Sequence, residues 1–132
     1  MKAKSLKRSS KKEITSLFDR WNKSLKSGDP DQVVKNYARN SILLATLANK
    51  PRLTVAEKRS YFKSFLINKP SGKINYRKIE VGYDMAVDAG IYTFTFAKTG
   101  AVVKARYTFT YRFNKNKWLI TSHHSSRMPE DN

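Results

Sequence analysis

Hydrophobic and polar residues alternate in the C-terminal part of the chain. Between positions 106 and 113, every odd position is aromatic and every even position is Arg or Thr. A period of two places these two sets on opposite faces of a β-strand. Aromatic and β-branched residues also favour strands, so the pattern predicts a strand here and a return strand over 118–124.

The turn between these two strands is predicted at Asn114-Lys115-Asn116. Asn tolerates the left-handed backbone that tight hairpin turns require. A two-residue loop at Lys115-Asn116 would fix the register of the hairpin. It predicts four cross-strand pairs: Trp118 with Phe113, Ile120 with Tyr111, His124 with Tyr107, and Ser125 with Arg106. Aromatic pairs of this kind contribute roughly 0.2–1 kcal/mol each.

The N-terminal part of the chain has a helical period instead. Ser10-Lys11-Lys12-Glu13 fits a capping box, in which the Ser and Glu side chains satisfy free backbone N–H groups. Apolar residues follow at helical spacing, at Ile14, Leu17, Phe18, Trp21 and Leu25. Gly28-Asp29-Pro30 ends this predicted helix, because Gly suits a C-cap and Pro cannot continue a helix.

Two further helices are predicted. A short one begins at an Asp29 or Asp31 cap and carries Val33, Val34, Tyr37 and Ala38. The other begins with the capping box Thr54-Val55-Ala56-Glu57, and its inward-facing residues are Tyr61, Phe62, Phe65 and Leu66. Residues 41–47, between these two helices, are predicted as a short strand.

Two more long strands are predicted, over 74–83 and 85–96. The order is therefore helix, helix, strand, helix and then four long strands, which is typical of an α+β domain with the helices on one face of the sheet. A length of 132 residues corresponds to one domain, which we assign to residues 10–130. Residues 1–9 are charged and poor in apolar groups, and we expect a disordered basic tail there.

The chain is strongly basic, with a formal net charge of +17. Six of its basic residues lie in positions 1–12, and the chain without those six still carries +11. A basic surface that binds nucleic acid or an acidic partner is therefore an alternative. It is not favoured, because no arginine-rich motif or basic amphipathic helix supports it over a solvated lysine-rich surface.

Composition also bounds the chemistry and the compartment. The chain has no Cys, which excludes disulfides, thiolate catalysis and Cys-based zinc sites. It has no apolar run near the roughly 20 residues of a membrane span. The compartment stays open: we expect a cytoplasmic protein if the chain is complete, and an exported one if a signal peptide has been removed.

Several stretches resemble a known family: LKSGDPD at 25–31, AVDAGIYTF at 86–94, RYTFTY at 106–111, and KWLI at 117–120 leading into HHSSRMP at 123–129. Over roughly residues 13–130 the chain resembles the association domain of calcium/calmodulin-dependent protein kinase II, and most closely its stand-alone bacterial type. This family belongs to the nuclear transport factor 2-like, or SnoaL-like, superfamily.

The resemblance implies a cystatin-like cone, in which three N-terminal helices pack on a curved, mostly antiparallel sheet with a pocket at its mouth. It also implies self-association into homodimers or larger rings. It does not imply kinase activity, since nothing in the chain matches a glycine-rich loop or a kinase catalytic loop.

His123 and His124 are the only histidines in the chain. Adjacent positions of a strand point to opposite faces, so these two side chains cannot bind one metal ion together. We expect one of them in the pocket or core, either as a hydrogen-bonded structural residue or as a ligand-binding residue. No metal site and no cofactor are predicted.

Arg106 lies between aromatic neighbours in its strand. If it is buried, it needs a carboxylate from a ligand or from Asp84, Asp88 or Glu80 on the neighbouring strands. In the association domain that the chain resembles, arginines of the last strands line an anion-accepting pocket. This chain has Phe109 and Ser125 at the equivalent positions, so Arg106 is expected to supply the positive charge instead.

The expected ligand-binding residues are Trp21, Tyr37, Tyr92, Arg106, Tyr107, His123 and His124. The predicted function is a small self-associating cone with a pocket for a small, acidic organic ligand, or a scaffold. The alternative that uses the same pocket is an isomerase or dehydratase, for which Asp88 and Tyr37 are the formal candidates. Carboxylates are few and none are paired by spacing, so no catalytic residue is assigned and a binding role is favoured over an enzyme.

Overall fold

Side-chain caps mark the beginnings of the two longer helices. The structure is a computed structural model that describes residues 9–130. The hydroxyl of Ser10 accepts a hydrogen bond from the backbone N–H of Glu13 at 3.1 Å and begins helix α1, Lys11–Lys26. Thr54 and Glu57 make both reciprocal bonds of a capping box, each at 3.0 Å, and begin the helix Val55–Phe65. Both predicted N-caps are confirmed.

The basic tail predicted over residues 1–9 lies outside the described residues except for Ser9. Ser9 is buried, and its hydroxyl accepts a hydrogen bond from Nε1 of Trp118 at 3.1 Å. This residue therefore packs against the domain rather than belonging to the predicted tail.

The second helix, α2, spans Pro30–Val34 and is shorter than predicted. Tyr37, which was predicted to lie in this helix, begins strand β1, Tyr37–Leu44. The backbone carbonyl of Asn36 accepts a hydrogen bond from the backbone N–H of Ile120 at 2.9 Å, and Tyr37 pairs with Ile120. Pairing with a distant strand thus outweighs the local helical spacing. For the same reason, the strand predicted at 41–47 begins earlier and ends at Leu44.

One mixed sheet follows the helices. Helix α3, Val55–Phe65, continues into a short 3₁₀ turn, and the remaining strands are β2 (Pro70–Val81), β3 (Met85–Phe96), β4 (Ala101–Asn114) and β5 (Lys117–Arg127). The strand order is β1-β5-β4-β3-β2, in which β1 runs parallel to β5 and the other pairs are antiparallel. The predicted α+β class is confirmed.

Helix α1 packs on one face of this sheet, which we call the inner face. Its buried residues are those of the predicted apolar stripe: Ile14, Leu17, Phe18, Trp21 and Leu25. The ring of Trp21 lies edge-on to Phe94 and Phe109, with centroid distances of 6.0 and 5.6 Å, an arrangement that aromatic pairs prefer. No helix within residues 9–130 is both long and apolar enough to cross a membrane.

The β4–β5 hairpin turns as the sequence predicts. Lys115 and Asn116 have φ angles of 51° and 65°, and two consecutive left-handed residues are the signature of a type I′ turn. The resulting register pairs Phe113 with Trp118 and Tyr111 with Ile120. Both of these predicted pairs are confirmed.

A β-bulge after Ile120 shifts the rest of the hairpin by one residue. Beyond it, Ser125 pairs with Tyr107, and His124 pairs with Thr108. The predicted pairs of His124 with Tyr107 and of Ser125 with Arg106 are therefore wrong. A bulge sets two residues of one strand opposite one residue of its partner, and this exchanges the faces of all later side chains. The shift brings His123, rather than His124, to the inner face.

A second bulge, in β2 between Ile74 and Tyr76, presses the backbone of β2 against β3. A Cβ atom at Gly90 would lie 1.9 Å from the carbonyl oxygen of Tyr76. No side chain fits at that distance, so glycine is required at position 90.

Candidate ligand-binding cavity

A cavity of about 410 Å³ lies between α1, α3 and the inner face of the sheet. Most of its wall is aromatic or aliphatic: Trp21, Leu43, Ala45, Leu47, Tyr61, Phe62, Phe65, Tyr92, Phe94, Phe96, Val103 and Ala105. The other lining residues are Thr46, Asn68, His123, Ser125 and Arg127. A concave site of this volume, mostly apolar and with a few polar groups, is typical of pockets for small molecules.

The polar side of the cavity is built on His123. Its ring is buried and stacks on Phe109, with a centroid distance of 4.0 Å. Nδ1 lies 2.8 Å from the hydroxyl of Tyr37, and Nε2 lies 3.3 Å from the hydroxyl of Tyr92. The imidazole is therefore held on both nitrogens by tyrosines from two other strands.

The neighbours of Tyr37 fix the direction of these hydrogen bonds. Nε1–H of Trp21 donates to the Tyr37 hydroxyl at 3.1 Å, which leaves the hydrogen of Tyr37 to donate to Nδ1 of His123. Nδ1 is then an acceptor, so in the neutral ring the hydrogen is on Nε2 and donates to Tyr92. The hydroxyl of Tyr92 donates onward to Oγ of Ser125 at 2.7 Å.

Ser125 ends this chain of hydrogen bonds at the cavity wall. Its Oγ also accepts a hydrogen bond from Oγ1 of Thr46 at 2.7 Å. With two bonds accepted, its own hydroxyl hydrogen has no acceptor among residues 9–130. The arrangement therefore leaves one donor for a ligand in the cavity.

The electrostatics of the cavity favour a negative ligand over a positive one. Burial, reinforced by the neighbouring His124, lowers the pKa of His123 from 6.5 to about 3, so the imidazole is neutral at physiological pH. Burial raises the pKa of Tyr92, which stays protonated. No lining residue is an Asp or Glu, and Arg127 is the one lining residue with a full charge.

A protein-family comparison identifies the chain. The family described as "Calcium/calmodulin dependent protein kinase II association domain" matches residues 10–129. The chain belongs to this family. A Xanthomonas campestris protein described by the same domain name is 46% identical to this association domain, with a TM-score of 0.90 over 93% of this chain and 91% of that one. No curated protein is similar in sequence to the chain.

More distant solved structures share the fold of this association domain. A nuclear transport factor 2-like protein with a cystatin-like fold from Novosphingobium aromaticivorans is 12% identical, with a TM-score of 0.75 over 92% of this chain and 83% of that one. The iota-carbonic anhydrase of a cyanobacterium, solved in complex with bicarbonate, is 18% identical, with a TM-score of 0.83 over 99% and 100%. The predicted cystatin-like, nuclear transport factor 2-like fold is confirmed.

Four of the residues predicted for the pocket meet at the cavity of this association domain. Trp21, Tyr92 and His123 line it, and Tyr37 lies behind His123 and holds its Nδ1. The cavity wall does not include Tyr107, although this residue is buried on the inner face.

Arg106 and His124 lie elsewhere. Arg106 pairs with Ile91 and Ser126, and His124 pairs with Thr108, on the outer face of the sheet, where both are exposed. Arg106 therefore needs no buried carboxylate. At the cavity, Arg127 supplies the positive charge that was expected from Arg106. Arg127 lies on the inner face because of the bulge in β5.

Asp88, the formal candidate for a catalytic base, is fully buried away from the cavity. Its Oδ2 accepts a hydrogen bond from Nη2 of Arg77 at 2.7 Å, and its Oδ1 accepts one from the hydroxyl of Tyr107 at 2.8 Å. The carboxylate is thus held in an ion pair that does not reach the cavity wall. The isomerase hypothesis has no base at this position.

The sequence patterns assign no binding role to Thr46, Ser125 or Arg127. The spacing of His123, Ser125 and Arg127 was an available signal, since residues two apart on a strand share a face. Using it required knowing which histidine faces inward. Within residues 9–130, no three His, Cys, Asp or Glu side chains are placed to hold a metal ion.

Proposed function

We propose that this association domain self-associates and that its cavity binds a small organic carboxylate. The observation that carries the ligand proposal is the polar end of the cavity. There a neutral, fully hydrogen-bonded His123 network leaves one hydroxyl hydrogen on Ser125, with Arg127 as the charged lining residue. A carboxylate accepts from both kinds of donor, and its bonds to them are charge-assisted.

The body of the ligand should be apolar and compact. The rings of Tyr61, Phe62, Phe65 and Phe94 supply wall area without competing polar groups. A cavity of about 410 Å³ suits an aromatic or branched aliphatic acid better than a bare inorganic anion. Burial of that apolar body would contribute roughly 25 cal/mol per Å² of surface removed from water.

Self-association is proposed through the outer face of the sheet. No helix of the described chain covers this face, and strand β3 presents Val87, Ala89 and Ile91 there, opposite Thr110, Thr108 and Arg106 of β4. An antiparallel sheet with apolar groups on an uncovered face is a suitable surface for a second copy. The family's designation as an association domain supports the same assignment.

A second candidate ligand is bicarbonate, which shares the carboxylate geometry. The observation in its favour is the group of small hydroxyls formed by Ser125 and Thr46 beside Tyr92, where Ser125 keeps one free hydrogen, and the iota-carbonic anhydrase of the same fold was solved with that ion. Against hydration chemistry, a histidine with a pKa of about 3 is a weak base at neutral pH. Stopped-flow measurement of CO₂ hydration tests for this chemistry, since the binding proposal predicts no rate above background.

Native mass spectrometry of protein purified without added ligand tests both parts of the proposal. A dimer or larger ring with a reproducible retained mass is expected. The matched variants are Val103→Trp, at the cavity wall, and Leu53→Trp, at an exposed position outside the cavity and outside the sheet. The retained mass should disappear from V103W and remain on L53W. A monomer would contradict self-association, and a mass retained by V103W would contradict the location of the ligand.

A further inference from the structure

A second concave site lies between α1, the end of α2 and the β4–β5 turn, which we call the basic cleft. It has a volume of about 400 Å³ and is lined by Arg20, Lys23, Ser24, Ser27, Gln32, Lys35, Asn36 and Lys117. It shares no lining residue with the cavity described above. It is therefore a separate site on the same domain.

Charge is the distinguishing property of the basic cleft. Arg20, Lys23, Lys35 and Lys117 line it, and none of its lining residues is acidic. None of these four makes a salt bridge with a carboxylate among residues 9–130. By contrast, Arg59 and Arg77 each pair with an aspartate. Four uncompensated cations around one concavity favour a ligand with several negative charges.

Arg20 is held rigidly in this cleft by neutral groups. Its Nε donates to Oδ1 of Asn36 at 2.9 Å, and its Nη2 donates to the carbonyl oxygen of Trp118 at 2.8 Å. Asn36 is itself buried and fixed by Ser24, whose Oγ lies 3.1 Å from Nδ2. These bonds set the plane of the guanidinium and leave Nη1 without a partner in the described chain.

A half-buried guanidinium without a carboxylate is unusual. Removing a cation from water is unfavourable unless a counter-charge offsets it, and burial lowers the pKa of Arg20 accordingly. An oxyanion in the cleft would supply that counter-charge. The planar fork of Arg matches phosphate oxygens, while lysines act as mobile point charges around them.

We propose that the basic cleft binds a small phosphorylated molecule through a di- or triphosphate group. Arg20 provides the fixed donor, and Lys23, Lys35 and Lys117 neutralise the remaining charge. The cleft is larger than one phosphate needs, and it holds cations on three separate elements. A chain of phosphoryl groups is longer than a single phosphate, and it offers more negative charge and more acceptor oxygens to these cations. This inference is independent of the carboxylate proposed for the cavity.

Isothermal titration calorimetry with pyrophosphate tests the proposal. Lys23→Gln with Lys35→Gln removes two cations of the cleft, and Lys63→Gln with Lys98→Gln removes two exposed lysines elsewhere. Both double variants have the same net charge. We expect about a tenfold or greater loss of affinity in K23Q/K35Q and less than about a twofold change in K63Q/K98Q.

Arg20→Lys separates a shaped site from a merely charged one. It keeps the charge but loses the fork, so pyrophosphate affinity should fall about fivefold or more, with thermal unfolding used to confirm that the variant is folded. Equal losses in the two double variants, or no binding by wild type, would overturn the proposal. A short single-stranded DNA that binds the cleft and that pyrophosphate does not displace would overturn it too, in favour of nucleic acid.

Discussion

The hydroxyl of Tyr37 lies 2.8 Å from Nδ1 of His123, although the two residues are 86 positions apart in the chain. This contact joins β1 to its neighbour β5, which are the first and last strands in the chain, and Trp21 of α1 donates to the same hydroxyl. One buried phenol thus links a helix and two strands at the polar end of the cavity.

Replacing Tyr37 by Phe should destabilise the protein by about 1–3 kcal/mol, because it leaves Nδ1 of His123 and Nε1–H of Trp21 buried without their partner. Denaturant unfolding measures the change. Tyr76→Phe is the matched control, since Tyr76 is 65% exposed, and it should change stability by less than about 0.5 kcal/mol. Equal effects of the two variants would contradict the linking role of Tyr37.

His123 should make folding sensitive to acid. Its pKa falls from 6.5 to about 3 on folding, so between these values the unfolded chain binds a proton that the folded chain does not. Stability from this residue is intact above pH 6.5 and is lost as pH falls towards 3, by up to about 1.4 kcal/mol per pH unit.

The measurement is the unfolding free energy of wild type minus that of His123→Gln at several pH values, which cancels the contribution of carboxylates. The difference should decrease steadily between pH 6.5 and 4. A pH-independent difference between wild type and H123Q would show that His123 does not titrate in this way.

The two arginine–aspartate pairs should differ strongly in their effect on stability. Arg77→Gln leaves the fully buried carboxylate of Asp88 without its cation, which should cost about 2–4 kcal/mol. Arg59→Gln breaks a pair whose side chains are 50% and 56% exposed, and it should cost less than about 1 kcal/mol.

Adding Asp88→Asn to R77Q removes the buried carboxylate that has lost its cation, and it should recover most of the lost stability. Thermal or denaturant unfolding of these variants tests this explanation. If R77Q costs no more than R59Q, the buried pair has no structural role.

Gly90 and Gly82 test the bulge in β2. A Cβ at Gly90 would lie 1.9 Å from the backbone oxygen of Tyr76, whereas the nearest atom to a Cβ at Gly82 is 3.6 Å away. We expect Gly90→Ala to cost about 3 kcal/mol or more, because backbone and not a flexible side chain must move. Gly82→Ala should change stability by less than about 1 kcal/mol. Similar unfolding midpoints for the two variants would contradict the close contact of β2 with β3.

The sequence predicts the fold well wherever local chemistry determines it. The capping residues Ser10 and Thr54 begin helices, and Lys115-Asn116 form the expected turn that pairs Trp118 with Phe113. Strand β3 has the predicted bounds, Met85–Phe96. In each case, the residues involved are near neighbours in the sequence or lie across a tight turn.

The site could be predicted only in part, because long-range pairing decides it. The single extra residue after Ile120 determines that His123, Ser125 and Arg127 face inward, and no local pattern signals that bulge. The position of Tyr37 depends on its pairing with Ile120 in β5. Its spacing from Val33 and Val34 is helical, and the sequence therefore predicts a helix at this position. Arg106 is exposed for the same reason that its aromatic neighbours are buried: the alternation is regular through β4.

Calorimetric titration with benzoate and benzamide tests the proposed carboxylate site most directly. The two molecules have similar shapes, and only benzoate carries the charge that Ser125 and Arg127 are proposed to bind. We predict that wild type binds benzoate at least about tenfold more tightly than benzamide, and that Ser125→Ala removes much of this preference. The cavity-filling V103W variant should bind neither. Equal affinity for the two molecules, or unchanged benzoate binding by V103W, would contradict the proposal that this cavity is a carboxylate site.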